Sequence, residues 1–168
     1  MNIENYSIRP ATEDDIVKIL EIESKAHLAP WTETHFKEEL EKPYSHFLVM
    51  TDDETDEIIA GYIVFWIMGS GGDGACEILN VAVDFPFRGK GMAKKLVQTA
   101  VASAVKEGAK RMVLDVRKSN MPAIQLYQTL KFTITQVRRS FYSNGEDAYG
   151  MTLYLDESSP ELVPGFEL

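Results

Sequence analysis

Residues 81–94 read VAVDFPFRGKGMAK and join an apolar, strand-like run to the glycine-bearing start of a helix. Glycines at the end of a strand allow backbone N–H groups to converge on an anion, and the following helix adds the partial positive charge of its N-terminus. Arg88, Lys90 and Lys94 bring further positive charge to the same turn. The stretch therefore favours a binding site for a diphosphate, although a plain tight turn fits these residues alone equally well.

Two common nucleotide-binding motifs do not fit this turn. A Walker phosphate loop needs the pattern G-x-x-x-x-G-K-S/T, which the sequence lacks. A dinucleotide-binding fingerprint needs a third glycine three residues after Gly91, where Lys94 stands. The turn is therefore not predicted to bind a ligand through either motif.

Outward from this turn, the spacing of apolar residues predicts a mixture of strands and helices. Toward the N-terminus we expect a strand near residues 6–9, helices at 12–26 and 32–42, and strands at 45–50, 58–67 and 77–83. Toward the C-terminus we expect a long helix to residue 106, a strand at 112–116, a helix at 120–130, and a hairpin of residues 132–142 and 149–155. This order predicts one α+β domain over residues 1–155 and an acidic tail at 156–168.

Composition and charge restrict the class of protein further. The 168 residues carry 17 lysines and arginines against 26 acidic residues, a net charge of −9, so nucleic acid is not an expected partner. No apolar run approaches the roughly 20 residues that cross a bilayer, and the first residues lack a signal peptide. The single cysteine, Cys76, excludes an internal disulfide, and no histidine–cysteine cluster has the spacing of a metal site. These features predict a soluble, cytoplasmic protein without a metal or a membrane partner.

Several sequence blocks resemble the GNAT superfamily of N-acetyltransferases. The family signature is an arginine or glutamine, then a glycine three residues on and a glycine or alanine two residues later; Arg88, Gly91 and Ala93 match it. Residues 78–83, ILNVAV, and residues 114–120, LDVRKSN, resemble its fourth and fifth strands. Residues 123–132, AIQLYQTLKF, resemble a further block, with Lys131 in place of the usual glycine.

Two other blocks resemble one branch of this superfamily, the bacterial ribosomal-protein-alanine N-acetyltransferases and the catalytic subunits of archaeal and eukaryotic N-terminal acetyltransferases. They are Pro30-Trp31 and residues 141–151, FYSNGEDAYGM. The resemblance covers about residues 6–155. It implies a mixed seven-stranded sheet flanked by about four helices, and an enzyme that transfers acetyl from acetyl-CoA to the α-amine at a protein N-terminus, with a ribosomal protein as the expected substrate. A monomer is predicted.

The resemblance also implies which residues bind acetyl-CoA. The fourth and fifth family strands part, and the pantetheine arm pairs with the backbone of the fourth, here Val81 and Val83, with Ala82 between them. The amides of residues 89–94 would hold the diphosphate. Asn120 would contact the cofactor, cap the following helix, or do both. The complete predicted set is Val81, Ala82, Val83, Arg88, Gly89, Lys90, Gly91, Met92, Ala93, Lys94 and Asn120.

The same resemblance implies catalytic roles. Tyr127 matches the tyrosine that protonates the departing thiolate, although a buried helical tyrosine is often only a packing residue. Asp115 stands where the family has a glutamate base, and a strand-end carboxylate paired with Arg117 or a backbone amide is the structural alternative. Glu77 is the second candidate, on the side where related enzymes place a base that works through water, and a plain surface glutamate is its alternative.

Further residues are predicted on the peptide side of the site. Trp31, Tyr142 and Glu146, together with Asp147, lie in the loop and hairpin that flank the acceptor groove of the family, while Trp31 also fits a packing role. Cys76 has no obvious histidine partner, so an acetyl-cysteine intermediate is not expected. Two other functions stay open: acetylation of a small amine or of lysine, and a non-catalytic module that binds acetyl-CoA.

Overall fold

The computed structural model describes residues 5–69 and 74–155. In these residues the strands are β1 (Tyr6–Pro10), β2 (Ser45–Asp52), β3 (Ile59–Met68), β4 (Ala75–Val83), β5 (Arg111–Arg117), β6 (Thr133–Arg138) and β7 (Ala148–Tyr154). The α-helices are α1 (Ile16–Ala26), α2 (Glu33–Glu41), α3 (Met92–Lys106) and α4 (Met121–Thr129). The predicted tail at residues 156–168 lies outside the described residues.

The seven strands form one sheet in the order β1-β2-β3-β4-β5-β7-β6. Strands β4 and β5 are parallel, with pairs from Ala75–Arg111 to Ile78–Leu114. The β1–β2, β2–β3, β5–β7 and β6–β7 pairs are antiparallel. The prediction of an α+β fold with a mixed seven-stranded sheet and about four helices is therefore confirmed. No helix in the described ranges has both the length and the apolar character needed to span a membrane.

The described residues form two compact units. The first unit contains residues 5–66 and 80–100, and the second contains residues 67–69, 74–79 and 101–155. The first unit thus carries α1, α2 and the turn before α3, whereas the second carries β5, α4 and the β6–β7 hairpin. The single domain over residues 1–155 stays a prediction.

Aromatic rings fill the core of the first unit. Phe36 of α2 lies with its ring centroid 5.6 Å from that of Phe47 and 5.6 Å from that of Tyr62, and all three side chains are buried. Helix α2 begins after Thr32, whose hydroxyl accepts the backbone N–H of His35 at 3.5 Å. This contact satisfies one of the N–H groups that a helix start leaves unpaired. The predicted helix start at Thr32 is confirmed.

Strand β5 orders the second unit. Its residues alternate between a buried side, from Met112 to Val116, and a half-exposed side with Val113, Asp115 and Arg117. Successive strand residues point to opposite faces, so Asp115 and Arg117 share a face of the sheet.

The strand predicted at residues 132–142 is wrong at its C-terminal end, because β6 ends at Arg138. Ser140 has a φ of 49°, a left-handed conformation that an extended strand does not contain. Its N–H donates to Oδ1 of Asp147 at 2.9 Å. Residues 139–147 therefore form a loop that carries side chains back toward β5.

Lys131 ends helix α4 in a conformation that usually belongs to glycine. Its φ is 71°, its N–H donates to Gln128 O at 3.0 Å, and the N–H of Phe132 donates to Tyr127 O at 3.0 Å. These two bonds are the Schellman arrangement, in which the left-handed residue is most often glycine. The rings of Tyr127 and Phe132 are 5.7 Å apart and add the apolar contact typical of this motif. The turn thus fixes the end of α4 that carries Tyr127.

Replacing Lys131 with glycine is expected to stabilise the protein, because a β-carbon is strained at this φ. The gain is about 0.5–1 kcal/mol after the greater freedom of glycine in the unfolded chain is subtracted. Urea unfolding measures it as a higher midpoint with an unchanged slope. Lys106→Gly, at the last residue of α3, is the control and is expected to destabilise. Equal losses in both variants would contradict the strain argument.

Candidate active site

The turn before α3 has the backbone geometry of an anion site. Gly89 and Gly91 have φ values of 73° and 81°, and α3 begins at Met92. The first four N–H groups of an α-helix have no acceptor within the helix, so these amides are available to a ligand. A diphosphate carries the charge that this helix end favours. The turn therefore suits the group that the sequence predicts there.

Two basic side chains of this turn hold its backbone. Arg88 Nε donates to the carbonyl of Val83 at 2.9 Å, and Lys90 Nζ donates to the carbonyl of Pro86 at 2.8 Å. Both cations therefore stay beside the turn, where their charge adds to that of the helix N-terminus. Lys94 is exposed in the first turn of α3.

The predicted strand residues before the turn differ in burial. Ala82 and Val83 are buried, whereas Val81 is half-buried. The N–H of Asp84 donates to the carbonyl of Ala60 at 2.9 Å, so the end of β4 is bound to β3. This bond fixes the strand from which the turn departs.

Asn120 occupies the N-cap of α4. Its Oδ1 accepts the backbone N–H of Ala123 at 3.3 Å. The capping role that the sequence suggested is therefore present, and contact with a cofactor stays a prediction. The side chain is exposed, so the same residue can serve both roles.

In the second unit, two carboxylates share one face of the sheet. Glu77 of β4 pairs in register with Val113 of β5, and Asp115 lies two positions further along β5 on the same side. Arg138 Nε lies 2.9 Å from Oδ1 of Asp115. That contact is ionic without hydrogen-bond geometry, because Oδ1 is buried and has no hydrogen bond within the described part of the chain. The structural alternative paired Asp115 with Arg117 or a backbone amide, and the structure places Arg138 beside it instead.

Burial and a neighbouring carboxylate raise the basicity of Glu77. Burial and the carboxylate of Asp115 raise the pKa of Glu77, and Arg138 offsets part of the rise. A carboxylate with a raised pKa accepts a proton more readily than an ordinary glutamate does. Gly150 of β7 pairs in register with Asp115 of β5, and a β-carbon on Gly150 would lie 3.4 Å from Asp115 Oδ1. The absence of a side chain on Gly150 therefore keeps space beside the pair.

Tyr127 has the properties of a proton donor. Its side chain is only 6% exposed, and its hydroxyl makes no hydrogen bond to another residue of the ranges 5–69 and 74–155. The hydroxyl oxygen is not among the fully buried unpaired polar atoms of those ranges, so it retains access to solvent or a ligand. Burial, together with the nearby Tyr142, raises the pKa of Tyr127 and keeps the phenol protonated. Tyr127 and Tyr142 are thus electrostatic neighbours within the second unit.

Tyr142 lies beside Arg117 of β5, whose guanidinium is 3.8 Å from the centre of the Tyr142 ring. Burial raises the pKa of Tyr142, Arg117 lowers it, and Asp115 raises it. Four predicted residues of this unit are therefore linked as electrostatic neighbours: Glu77 to Asp115, Asp115 to Tyr142, and Tyr142 to Tyr127.

Glu146 holds the β6–β7 loop in place. Its Oε1 accepts the N–H of Ser119 at 2.9 Å and also the Ser119 hydroxyl, while Oε2 accepts Arg117 Nη1 at 3.2 Å. These donors lower the pKa of Glu146 and keep it ionised. Its predicted contact with a peptide stays a prediction.

Trp31 and Cys76 are both placed by packing. The ring of Trp31 is half-buried and lies 5.4 Å from that of Phe36, so the packing role that the sequence allowed is present. Cys76 is buried, and this raises the pKa of its thiol to about 12. A thiol in that state is a poor nucleophile near neutral pH. No three histidine, cysteine or acidic side chains of the described ranges gather as metal ligands.

Sequence reasoning missed two charged residues, Arg138 in the second unit and Glu23 in the first. Arg138 follows an unremarkable strand pattern, and only the register of β6 against β7 brings it near Asp115. Glu23 continues the apolar period of α1, which was the one signal that it is buried.

Known proteins are similar to this chain over most of its length. The profile of the Acetyltransferase (GNAT) family matches residues 16–132. A ribosomal protein bS18-alanine N-acetyltransferase from Haemophilus ducreyi is 31% identical over 152 residues, with 88% of this chain and 99% of the relative covered. An N-alpha-acetyltransferase from Sulfolobus acidocaldarius is 32% identical over 162 residues, covering 88% and 91%.

A solved structure is similar over nearly the whole chain. The crystal structure of the ribosomal-protein-S18-alanine N-acetyltransferase from Escherichia coli aligns with a TM-score of 0.79 and 25% identity. The alignment covers 94% of this chain and 99% of that protein. The family profile spans more than half of the chain, and the protein therefore belongs to the GNAT family of acetyltransferases.

Proposed function

We propose that this protein transfers an acetyl group from acetyl-CoA to the N-terminal α-amine of a protein, and that its substrate is the N-terminal alanine of ribosomal protein bS18. The observation that carries the proposal is the similarity to enzymes with that activity along almost their whole length. Because ribosomal proteins are made in the cytoplasm, the enzyme acts there.

The turn before α3 supports acetyl-CoA as the donor. The positive φ values of Gly89 and Gly91 and the N-terminus of α3 suit a diphosphate, and acetyl-CoA contains one. The backbone of Val81 and Val83 holds the pantetheine arm in this proposal. Acetyl-CoA supplies a thioester carbonyl that a neutral amine can attack.

The residues of the second unit supply proton transfer. An α-amine has a pKa of about 7.7–8.0, so near neutral pH only part of it is uncharged and a base of modest strength is sufficient. In this proposal Glu77 or Asp115 accepts the amine proton, directly or through water. Tyr127, protonated because of its burial, donates to the thiolate that leaves.

In this proposal Trp31 of the first unit and Tyr142 of the second unit are residues that contact the acceptor peptide. Both side chains are half-buried, so each presents part of its ring at the surface. Large aromatic rings bind an extended peptide by apolar contact while their polar atoms reach water.

A peptide assay tests this function. The purified protein is incubated with acetyl-CoA and a short peptide with the bS18 N-terminal sequence of the same organism, and mass spectrometry locates the acetyl group. We expect acetylation of the α-amine and none of the same peptide with a blocked N-terminus and a free lysine. Spermidine serves as the small-amine control.

Two results would contradict the proposal. Acetylation of spermidine or lysine in preference to the α-amine would show a different acceptor. Calorimetric binding of CoA without turnover of any peptide would indicate a module that binds the cofactor and catalyses nothing. Absence of CoA binding by the folded protein would overturn the donor as well.

A further inference from the structure

A buried carboxylate in the first unit connects four parts of the chain. Glu23, on the last turns of α1, is only 1% exposed. Its Oε1 accepts the backbone N–H of Trp31 at 2.8 Å and Nδ2 of Asn80 at 3.1 Å. Its Oε2 accepts the hydroxyl of Tyr62 and lies 3.4 Å from Nε2 of His27. Helix α1, the loop after it, β3 and β4 therefore meet at one side chain.

This arrangement compensates a group that is costly to bury. A carboxylate out of water is tolerated only if several donors replace the lost hydration. Three donors, from Trp31, Tyr62 and Asn80, do so here. Tyr62 stays a donor because its burial and the charge of Glu23 raise the pKa of its hydroxyl. Because each donor comes from a different element, the carboxylate also fixes those elements relative to one another.

The loop of residues 27–32 depends most on these hydrogen bonds to Glu23. Its residues 28–31 make no helical or strand hydrogen bonds in the described part of the chain, and Leu28 is 78% exposed. The Trp31 ring rests on Phe36, but its backbone is placed by Glu23. The same Oε1 atom holds Asn80, which immediately precedes Val81 in β4. One oxygen atom thus links the loop to the strand.

We propose that Glu23 is a positioning residue that holds the acceptor-side loop of residues 27–32 against β4 and thereby sets the affinity for the peptide. The proposal rests on the proposed function, because that function assigns Trp31 to the peptide side. Glu23 itself takes no part in proton transfer, since three donors surround it in the interior of the first unit. Of its donors, the N–H of Trp31 belongs to the acceptor side, so its larger effect is on the binding of the acceptor.

Glu23→Gln tests the proposal because it keeps the size of the side chain and removes its charge. The amide presents one N–H₂ group to neighbours that are themselves donors, so at least one link is lost. We expect the KM for the peptide to rise about tenfold or more, with the KM for acetyl-CoA changed less than twofold. A fall in kcat alone, with both KM values unchanged, would overturn the positioning role.

Glu39→Gln is the matched control. Glu39 is also a buried carboxylate of the first unit, 5% exposed, and it accepts bonds from Lys42, Ser45 and Trp66 at 2.6, 2.6 and 2.7 Å. None of these three hydrogen bonds comes from residues 27–32. The control is expected to lower stability without changing the ratio of the two KM values. Equal changes of that ratio in both variants would reduce Glu23 to a stability effect.

Hydrogen exchange gives a second measurement that needs no substrate. Glu23→Gln is expected to speed amide exchange in residues 28–32, and Glu39→Gln is not. If Glu23→Gln does not fold, Asn80→Ala removes the strand link alone and is expected to shift exchange and peptide KM in the same direction. Unchanged exchange of residues 28–32 in both Glu23→Gln and Asn80→Ala would overturn the proposal. Failure of the wild-type protein to acetylate any peptide would overturn only the proposed function.

Discussion

Replacing Tyr127 with phenylalanine is expected to lower kcat for peptide acetylation about 100- to 10,000-fold, the usual contribution of a general acid. The change removes only the hydroxyl. The ring keeps its contact with Phe132 at 5.7 Å and its place before the Schellman turn at Lys131. Since that hydroxyl makes no hydrogen bond to another of the described residues, its removal is not expected to cost stability.

The loss should be almost independent of pH between 6 and 9. Burial raises the pKa of Tyr127 above the ordinary value for tyrosine, so the wild-type phenol stays protonated through this range. Steady-state rates at several pH values, with saturating peptide and acetyl-CoA, provide the measurement. Calorimetry is expected to show nearly unchanged CoA affinity.

Tyr6→Phe is a suitable control for this experiment. Tyr6 is equally buried in the first unit, where its ring lies 5.8 Å from that of Phe87, and it has no proposed role in catalysis. Its variant is expected to retain the wild-type kcat. A Tyr127→Phe enzyme with an unchanged kcat would show that the thiolate leaves without this acid.

Local signals predicted the elements that frame the site. The hydroxyl of Thr32 marked a helix start because capping depends on a few adjacent residues. The turn at residues 88–93 was visible because glycine adopts positive φ more readily than other residues, and Gly89 and Gly91 both do so. Asn120 was also identified as a cap from its position alone. The one-residue precision at these sites reflects interactions that span fewer than five residues.

Pairings between distant segments could not be predicted in the same way. Glu23 meets Tyr62 and Asn80 across 39 and 57 residues of sequence, and nothing in the helical period of α1 names those partners. The structural alternative for Asp115 paired it with Arg117, a strand neighbour on the same face, or with a backbone amide. The structure instead brings Arg138 to it, because β7 sets the register of β6. Long-range contacts depend on sheet register, which local patterns do not specify.

Removing both carboxylates of the candidate base, in Glu77→Gln combined with Asp115→Asn, is expected to lower kcat/KM about 100-fold at pH 6.5. The loss should shrink toward pH 9. Below about 7.7–8.0 most of the α-amine carries an extra proton that a base must remove, whereas above this range the amine is already neutral. The pH dependence of the deficit is therefore an internal control for a defect in proton transfer.

The single variants decide which carboxylate takes the proton. Burial and Asp115 raise the pKa of Glu77, so Glu77 acts as a base only above that raised pKa. The fall of kcat/KM at low pH, the acid limb of the pH profile, should therefore follow the pKa of Glu77. If Glu77 is the base, Glu77→Gln reproduces the loss of the double variant and removes this limb. Asp115→Asn then moves the limb to lower pH, because a negative neighbour that raised the pKa of Glu77 is gone.

Arg138→Gln gives the opposite shift and completes the argument. Arg138 lowers the pKa of Glu77, so its removal should move the acid limb to higher pH. Shifts of opposite sign in Asp115→Asn and Arg138→Gln are expected only if the rate depends on a carboxylate whose pKa both charges influence. A full loss in Asp115→Asn with a wild-type limb in Glu77→Gln would assign the base to Asp115. A double variant as active as the wild type at pH 6.5 would show that neither carboxylate removes the amine proton.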